Sequence, residues 1–247
     1  ELHGIAALRA TLAAQPGGLS ALSDAALRTA KESGFSDAAL AKLLGTTADA
    51  VRARRHAIGL RPFLRQIDTL AAEYPAETNY LYLTYHAVEH DVVPSTARKL
   101  LLLGSGCYRI GSSVEFDTCC VGTAQAARAL GYEVTLLNCN PETVSTDYDL
   151  CDRLVFDEVS IETVLELRDF ERASGNDFVG TIVAMGGQTP NRLALPLSRA
   201  GVRLLGTPPE SIDRAEDRAK FSALCDALAI DQPRWMAAGQ LDSIAPS

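Results

Sequence analysis

The stretch from Lys99 to Asp152 constrains this chain more than any other. Leu100 to Leu103 form an uninterrupted apolar run. Such a run suits a parallel strand covered on both faces, because a strand with one wet face alternates. Gly104, Gly106 and Gly111 punctuate the turn that follows, where backbone N–H groups can face an anion. A helix then carries Val121, Ala124, Ala127 and Leu130 at helical spacing and stops at Gly131. Val134 to Leu137 make a second apolar strand, so the unit reads as βαβ with a polar loop at each strand's carboxyl end.

A dinucleotide fold would need glycine where Arg109 stands and an acid closing the second strand, where Asn138-Cys139-Asn140 stands instead. The α/β pattern continues past this unit. Strands are expected near 99–103, 133–137, 153–156, 179–184 and 202–205, and helices near 116–130, 160–173, 190–200 and 210–229. This alternation predicts an α/β open parallel sheet with helices on both faces and ligands at the carboxyl ends of the strands. Those ends carry residues 104–111, 138–149, Met185-Gly186-Gly187-Gln188 and Gly206-Thr207-Pro208-Pro209.

Residues 1–90 read as an all-α domain in front of the sheet, with 91–98 as a linker. Helical segments at 4–14, 23–33 and 36–44 are separated by Pro16-Gly17-Gly18, Gly34 and Gly45, and Ser23, Ser36 and Thr46 suit N-caps. Residues 37–62 have a helix, glycine turn, helix pattern whose second helix carries Arg52, Arg54, Arg55 and His56. That is a helix-turn-helix outline, but Val51, Ala53 and Ile58 claim one face for packing. The formal charge of −8 also disfavours nucleic acid. Phe63, Ile67 and Leu70 fit one helical face, and Tyr80, Tyr82 and Tyr85 suit packing at a domain junction. His86 and His90 stand four apart without an H-E-x-x-H pattern, so no metal site is expected there.

A hydrophobic content of 47% supports sizeable cores, and no run of ~18 apolar residues is present to span a membrane. Six cysteines without a C-x-x-C read as buried, reduced thiols of an intracellular protein. The start at Glu1, with no Met or leader pattern, suggests a processed or excised piece.

The strings YRIGSSVEFD, NCNPETVSTDYDLCDRLVFDE, MGGQTPN and LGTPPESIDRAEDRAKF resemble the second, carbamate-phosphorylating half of the carbamoyl-phosphate synthetase large subunit. The segments GFSDAALAKLLGT and RQIDTLAAEYPAETNYLYLTY resemble the helical oligomerisation domain that joins the two halves in that family. The first of these strings is similar to the eukaryotic multifunctional pyrimidine-pathway form. The resemblance implies a pre-ATP-grasp domain over 99–209 and the beginning of an ATP-grasp domain over 210–247.

It also implies roles for particular residues. Arg109 and Glu115 match tunnel-lining positions for carbamate, with Ser113 where bacterial members have glycine. Arg218 matches an ATP-contacting arginine. ATP and Mg2+ serve the parent enzyme, with the metal ligands and the catalytic lid downstream of this segment, so the chain alone is expected not to phosphorylate carbamate. The implied partners are the remaining synthetase domains, a glutaminase domain or subunit, and further copies through the helical domain. The implied setting is the cytoplasm or mitochondrion. On the residues themselves, Arg109 and Glu115 could equally be an ion pair fixing the turn, and Arg218 one of a surface set with Asp213, Arg214, Glu216 and Asp217. A biotin-carboxylase-like ligase and a non-catalytic docking module are the other classes weighed.

Overall fold

A computed structural model describes residues 2–107, 114–173 and 178–236. The first segment is helical: α1 (Leu2–Ala13), α2 (Gly18–Ala21), α3 (Asp24–Glu32), α4 (Asp37–Leu44) and α5 (Ala48–Ala57). Ser23 and Ser36 cap α3 and α4 by accepting from the Ala26 and Ala39 amides. Thr47, not Thr46, caps α5, because the Thr46 amide is engaged by the Ala41 carbonyl in closing the preceding helix. Leu12, Leu27, Leu40, Val51 and Leu60 meet in a core of their own.

The helical expectation for the whole of 1–90 is wrong beyond Ala57. Residues Phe63–Gln66 form β1 and Tyr80–Thr84 form β2, an antiparallel pair with Leu64 opposite Leu83. The cause is visible in Tyr80-Leu81-Tyr82-Leu83, an alternation with period 2 that buries Leu81 and exposes Tyr82. β2 then pairs in parallel with β5 (Arg153–Phe156), so the pair belongs to the main sheet.

The sheet is completed by β3 (Lys99–Leu103), β4 (Glu133–Asn138), β6 (Phe178–Ile182) and β7 (Leu204–Leu205). Its order is β1-β2-β5-β4-β3-β6-β7, parallel except at the β1–β2 edge. All of β3 is buried, as its apolar run predicts. Leu101 and Leu103 pack on one face with Val164 and Leu167 of α7 (Ile161–Arg172), and Leu100 and Leu102 pack on the other with α6 (Val114–Ala129). Each such leucine contributes about 1.5–3 kcal/mol of burial.

The face that α6 buries is Asp117, Cys120, Ala124 and Ala127. It is rotated from the expected one, which leaves Leu130 exposed. The helices expected at 190–200 and 210–229 are each two: α8 (Gln188–Asn191) with α9 (Ala194–Arg199), and α10 (Pro209–Glu216) with α11 (Arg218–Ala227). The second break is made by Asp217, extended at ψ 115, whose carboxylate accepts from the Lys220 amide and caps α11. Cys107, Cys119 and Cys139 are exposed, which corrects the expectation of mostly buried thiols for these three; Cys120, Cys151 and Cys225 are buried.

Candidate functional site

Strand order fixes where a ligand edge can lie. From β3 the chain winds outward through β4 and β5, then returns to the other side of β3 with β6 and β7. The carboxyl ends of β3 and β6 therefore flank a topological switch point, where open α/β sheets form a crevice. Backbone packs unusually close there. A Cβ on Gly186 would lie 2.6 Å from the Leu103 carbonyl oxygen and 2.7 Å from that of Gly104. A Cβ on Gly104 would lie 2.7 Å from Asn138 Cγ. Side chains are excluded so that three strand ends can meet.

Asn138 explains why β4 ends in an amide. Fully buried, its Oδ1 accepts from the Gly106 amide at 3.0 Å and the Asn140 amide at 3.2 Å, latching the two loops together. Its Nδ2 and the buried Ser105 Oγ have no hydrogen-bond partner among the described residues. Polar groups of this kind, buried and unanswered, lie beside the switch point.

Asp117 is the residue that sequence reasoning missed. Buried in the first turn of α6, its two carboxylate oxygens accept from the Ser145 amide at 3.1 and 3.2 Å. This holds the turn Val144–Thr146, which a Thr143/Thr146 capping box also closes, in the long loop after β4. Asn79 donates to the Tyr148 and Cys151 carbonyls and ties the loop's far end to β2. A carboxylate on the apolar stripe of α6 was the available signal.

Of the three tunnel candidates, Arg109 and Ser113 lie outside the described residues. Glu115 is placed in the first turn of α6, exposed, one residue before the Phe116 ring that packs over Gly187. The loop carrying Gly187 leads into α8, whose Gln188 and Asn191 line an open cleft of ≈ 590 Å3.

Arg218, at the start of α11, lines the same cleft with Arg192, Arg199, Asp213 and Glu216. The acids here are engaged elsewhere: Asp213 with Lys220 Nζ at 2.6 Å, Glu216 with Asn191 Nδ2 at 3.0 Å, and Asp217 with the Lys220 amide. Among the described residues no carboxylate forms an ion pair with Arg192, Arg199 or Arg218. The anticipated surface set therefore forms around Lys220 and leaves Arg218 out.

The basic face of α5 has the opposite fate. Arg55 is fully buried and binds Asp37 through Nε at 2.7 Å and Nη2 at 2.6 Å, Glu166 at 3.0 Å, and the Leu60 carbonyl. Burial opposes its charge, but the Asp37 hydrogen bond and surrounding carboxylates hold the guanidinium above its ordinary range. Lys31 joins Asp37 to Glu162, Arg52 pairs with Asp169, and Arg54 pairs with Asp24. His56 Nε2 sits 3.2 Å from Glu166, its pKa lowered by burial. These groups join α3, α4 and α5 to α7, so the arginines of the helix-turn-helix outline serve an internal junction.

The other candidate histidines also have structural partners. His90 Nδ1 accepts from the Leu64 amide at 2.9 Å with its ring against Phe63 and Phe170, and His86 Nε2 meets the Glu32 carbonyl. Among the described residues no group of three His, Cys, Asp or Glu side chains could hold a metal ion. No helix among them is long and apolar enough to cross a membrane.

A helical module feeding an open α/β sheet, with glycine-built loops at the switch point and an arginine-lined cleft, defines an open α/β protein of the doubly wound class. Residues 96–214 match the carbamoyl phosphate synthase preATP-grasp domain, and residues 1–59 match the oligomerisation domain of the carbamoyl-phosphate synthetase large chain. The chain belongs to the carbamoyl-phosphate synthase large-chain family. It is 52% identical over 217 residues to the multifunctional protein ura1 of Schizosaccharomyces pombe, which is 88% of this chain and 9% of that protein. With the carbamoyl phosphate synthase arginine-specific large chain of Cutaneotrichosporon cutaneum it shares 48% over 243 residues, 98% of this chain and 20% of that one. With the carbamoyl phosphate synthase large chain of Hyperthermus butylicus it shares 53% over 220 residues, 88% and 20% respectively. The chain thus spans between 9% and 20% of the length of these relatives.

Proposed function

We propose that this chain is part of the carbamate-phosphorylating half of a carbamoyl-phosphate synthase, an ATP-dependent ligase serving pyrimidine or arginine synthesis in the cytoplasm or mitochondrion. The observation that carries this is Arg218: exposed at the edge of the sheet, in a cleft with Arg192 and Arg199, while the neighbouring acids are engaged by other groups. A guanidinium is always charged, and its fork fits phosphate oxygens. Phosphoryl transfer depends on positioning and on stabilising charge at the transferred group, and Arg218 supplies one such contact to ATP.

Among the described residues no group of three His, Cys, Asp or Glu side chains, around this cleft or elsewhere, could hold Mg2+. Mg2+ and most contacts to ATP then come from the remaining synthetase domains, and the 247-residue chain by itself does not turn over. Arg109, Ser113 and Glu115 contribute to the carbamate passage that the family resemblance implies. Asn138 Nδ2 and Ser105 Oγ, buried and without partners among the described residues, support that reading, because a conduit for a polar intermediate needs polar groups held fixed by their surroundings. The helical module joins copies of the enzyme, and a glutaminase domain or subunit supplies ammonia.

Two measurements on the full-length synthetase test this. Arg218→Ala should raise the KM for ATP roughly tenfold or more, the loss of one hydrogen bond to a charged group. Arg109→Ala should uncouple glutamine consumption from product. Unchanged kinetics in the first and unchanged coupling in the second would each overturn the corresponding assignment.

A further inference from the structure

Two of the exposed cysteines come from different loops and meet. Cys107 follows the turn that leaves β3, Cys139 follows the last residue of β4, and their sulfurs are 3.8 Å apart. The backbone beside them is already registered. β3 and β4 pair in parallel up to Leu103 and Leu137, the Gly104 amide donates to the Leu137 carbonyl at 2.8 Å, and the Gly106 amide donates to Asn138 Oδ1. Each thiol therefore stands next to a residue held in the same latch, which fixes the separation of the two chain segments. The S–S bond length of about 2.05 Å requires the sulfurs to close by less than 2 Å, a distance that χ1 rotation of exposed side chains covers. Burial first, and then the hydrogen bond with Cys107, raise the Cys139 thiol above its ordinary value. Cys119 is also exposed but makes no cysteine pair among the described residues, and Cys120, Cys151 and Cys225 are buried.

We propose that Cys107 and Cys139 are a reversible oxidative modification site, in which hydrogen peroxide converts the dithiol to a disulfide that staples the loop after β3 to the loop after β4. One thiolate attacks the peroxide and becomes a sulfenic acid as the O–O bond breaks, releasing water. The second thiol attacks that sulfur, the S–O bond breaks, and the hydroxide leaves as a second water. Two thiols are oxidised by two electrons and one peroxide is reduced to two waters. In a reducing compartment such a bond is transient, formed under oxidant and removed by exchange with small thiols. The bond would tie together the loops that leave β3 and β4, next to Gly106, where the loop after β6 also approaches through Thr189.

The test is peptide mapping of the full-length synthetase after brief exposure to hydrogen peroxide under native conditions, with free thiols alkylated and digestion by trypsin without reductant. The expected product is peptide 100–109 joined to peptide 129–153, lighter by two hydrogens than the sum of the two, with fragmentation locating the bond between Cys107 and Cys139 rather than Cys151. Dithiothreitol should separate it. Cys107→Ser and Cys139→Ser, conservative changes at exposed positions, should each abolish the linked product while leaving the thermal unfolding transition in place. Recovery of both cysteines on separate peptides would overturn the proposal, whether alkylated or oxidised to sulfinic acid. So would persistence of a link through Cys119 or Cys151 in either variant.

Discussion

At the junction between the helical module and α7, Arg55 is fully buried and its guanidinium binds Asp37, Glu166 and the Leu60 carbonyl. Beside α11, Arg218 is exposed and shares a cleft with acids that other groups have taken. Both arginines sit on short, charged helices, and local sequence treats them alike. What separates them is which partners arrive from elsewhere in the chain. Arg55 receives Glu166 from 111 residues away, whereas the acids nearest Arg218 in sequence turn toward Lys220 and Asn191. The closed set ties two modules together, and Arg218 is left without an ion pair among the described residues.

The contrast can be broken at its strongest point first. Arg55→Ala leaves buried Asp37 with Lys31 alone and buried Glu166 with Arg52 and His56 alone, and should cost about 3–5 kcal/mol of unfolding free energy in urea titration. A loss under 1 kcal/mol would mean the junction is no more than an exposed salt-bridge set. At the edge, Gly104→Ala places a methyl against Asn138 and should cost about 1–3 kcal/mol through displacement of the latch. Asp117→Ala removes the acceptor of the Ser145 amide. About 1–2 kcal/mol should be lost, with faster hydrogen exchange at Ser145 as the local signature.

A smaller effect is expected from acid. Burial lowers the pKa of His90 from 6.5, so on acidification the unfolded chain takes up that proton before the folded one. Stability contributed by neutral His90 is therefore intact above pH 6.5 and declines as pH falls below it. An NMR titration of the His90 ring with a midpoint above 6.5 would reverse the sign. The smallest change sharpens the comparison most: Arg218→Ala should leave stability within about 0.5 kcal/mol, the signature of a residue that no fold contact requires.

Legibility in the sequence followed the range of the interactions. β3 and β4 were readable because continuous apolar runs report burial on both faces by themselves. β1 and β2 were not, because Phe63, Ile67 and Leu70 also satisfy a helical period, and the alternation from Tyr80 to Leu83 was read as aromatic packing at a junction. The rotation of α6 was hidden because its inward stripe contains a carboxylate, Asp117, whose burial makes sense only with Ser145 opposite it. The inward turn of α5 had one readable clue, Glu162, Glu166 and Asp169 spaced along one side of α7, but nothing local joined the two helices.

The pairing of β2 with β5 bears on how this protein can be divided. A cut at residue 90, where composition suggests a linker, would strip two strands from the sheet and expose the edge of β5 as an open template for another chain. The chain passes from helices to sheet between Ala57 and Phe63, so a fragment that keeps every strand of the sheet begins there, at the cost of the Arg55–Glu166 and Lys31–Glu162 pairs. The stretch from 91 to 98 is then an internal return path: Asp91 pairs with Arg65 on β1, and the Val93 carbonyl accepts from Arg153 on β5. Its low sequence regularity reflects a strap that crosses the sheet's end, which is a different thing from a hinge.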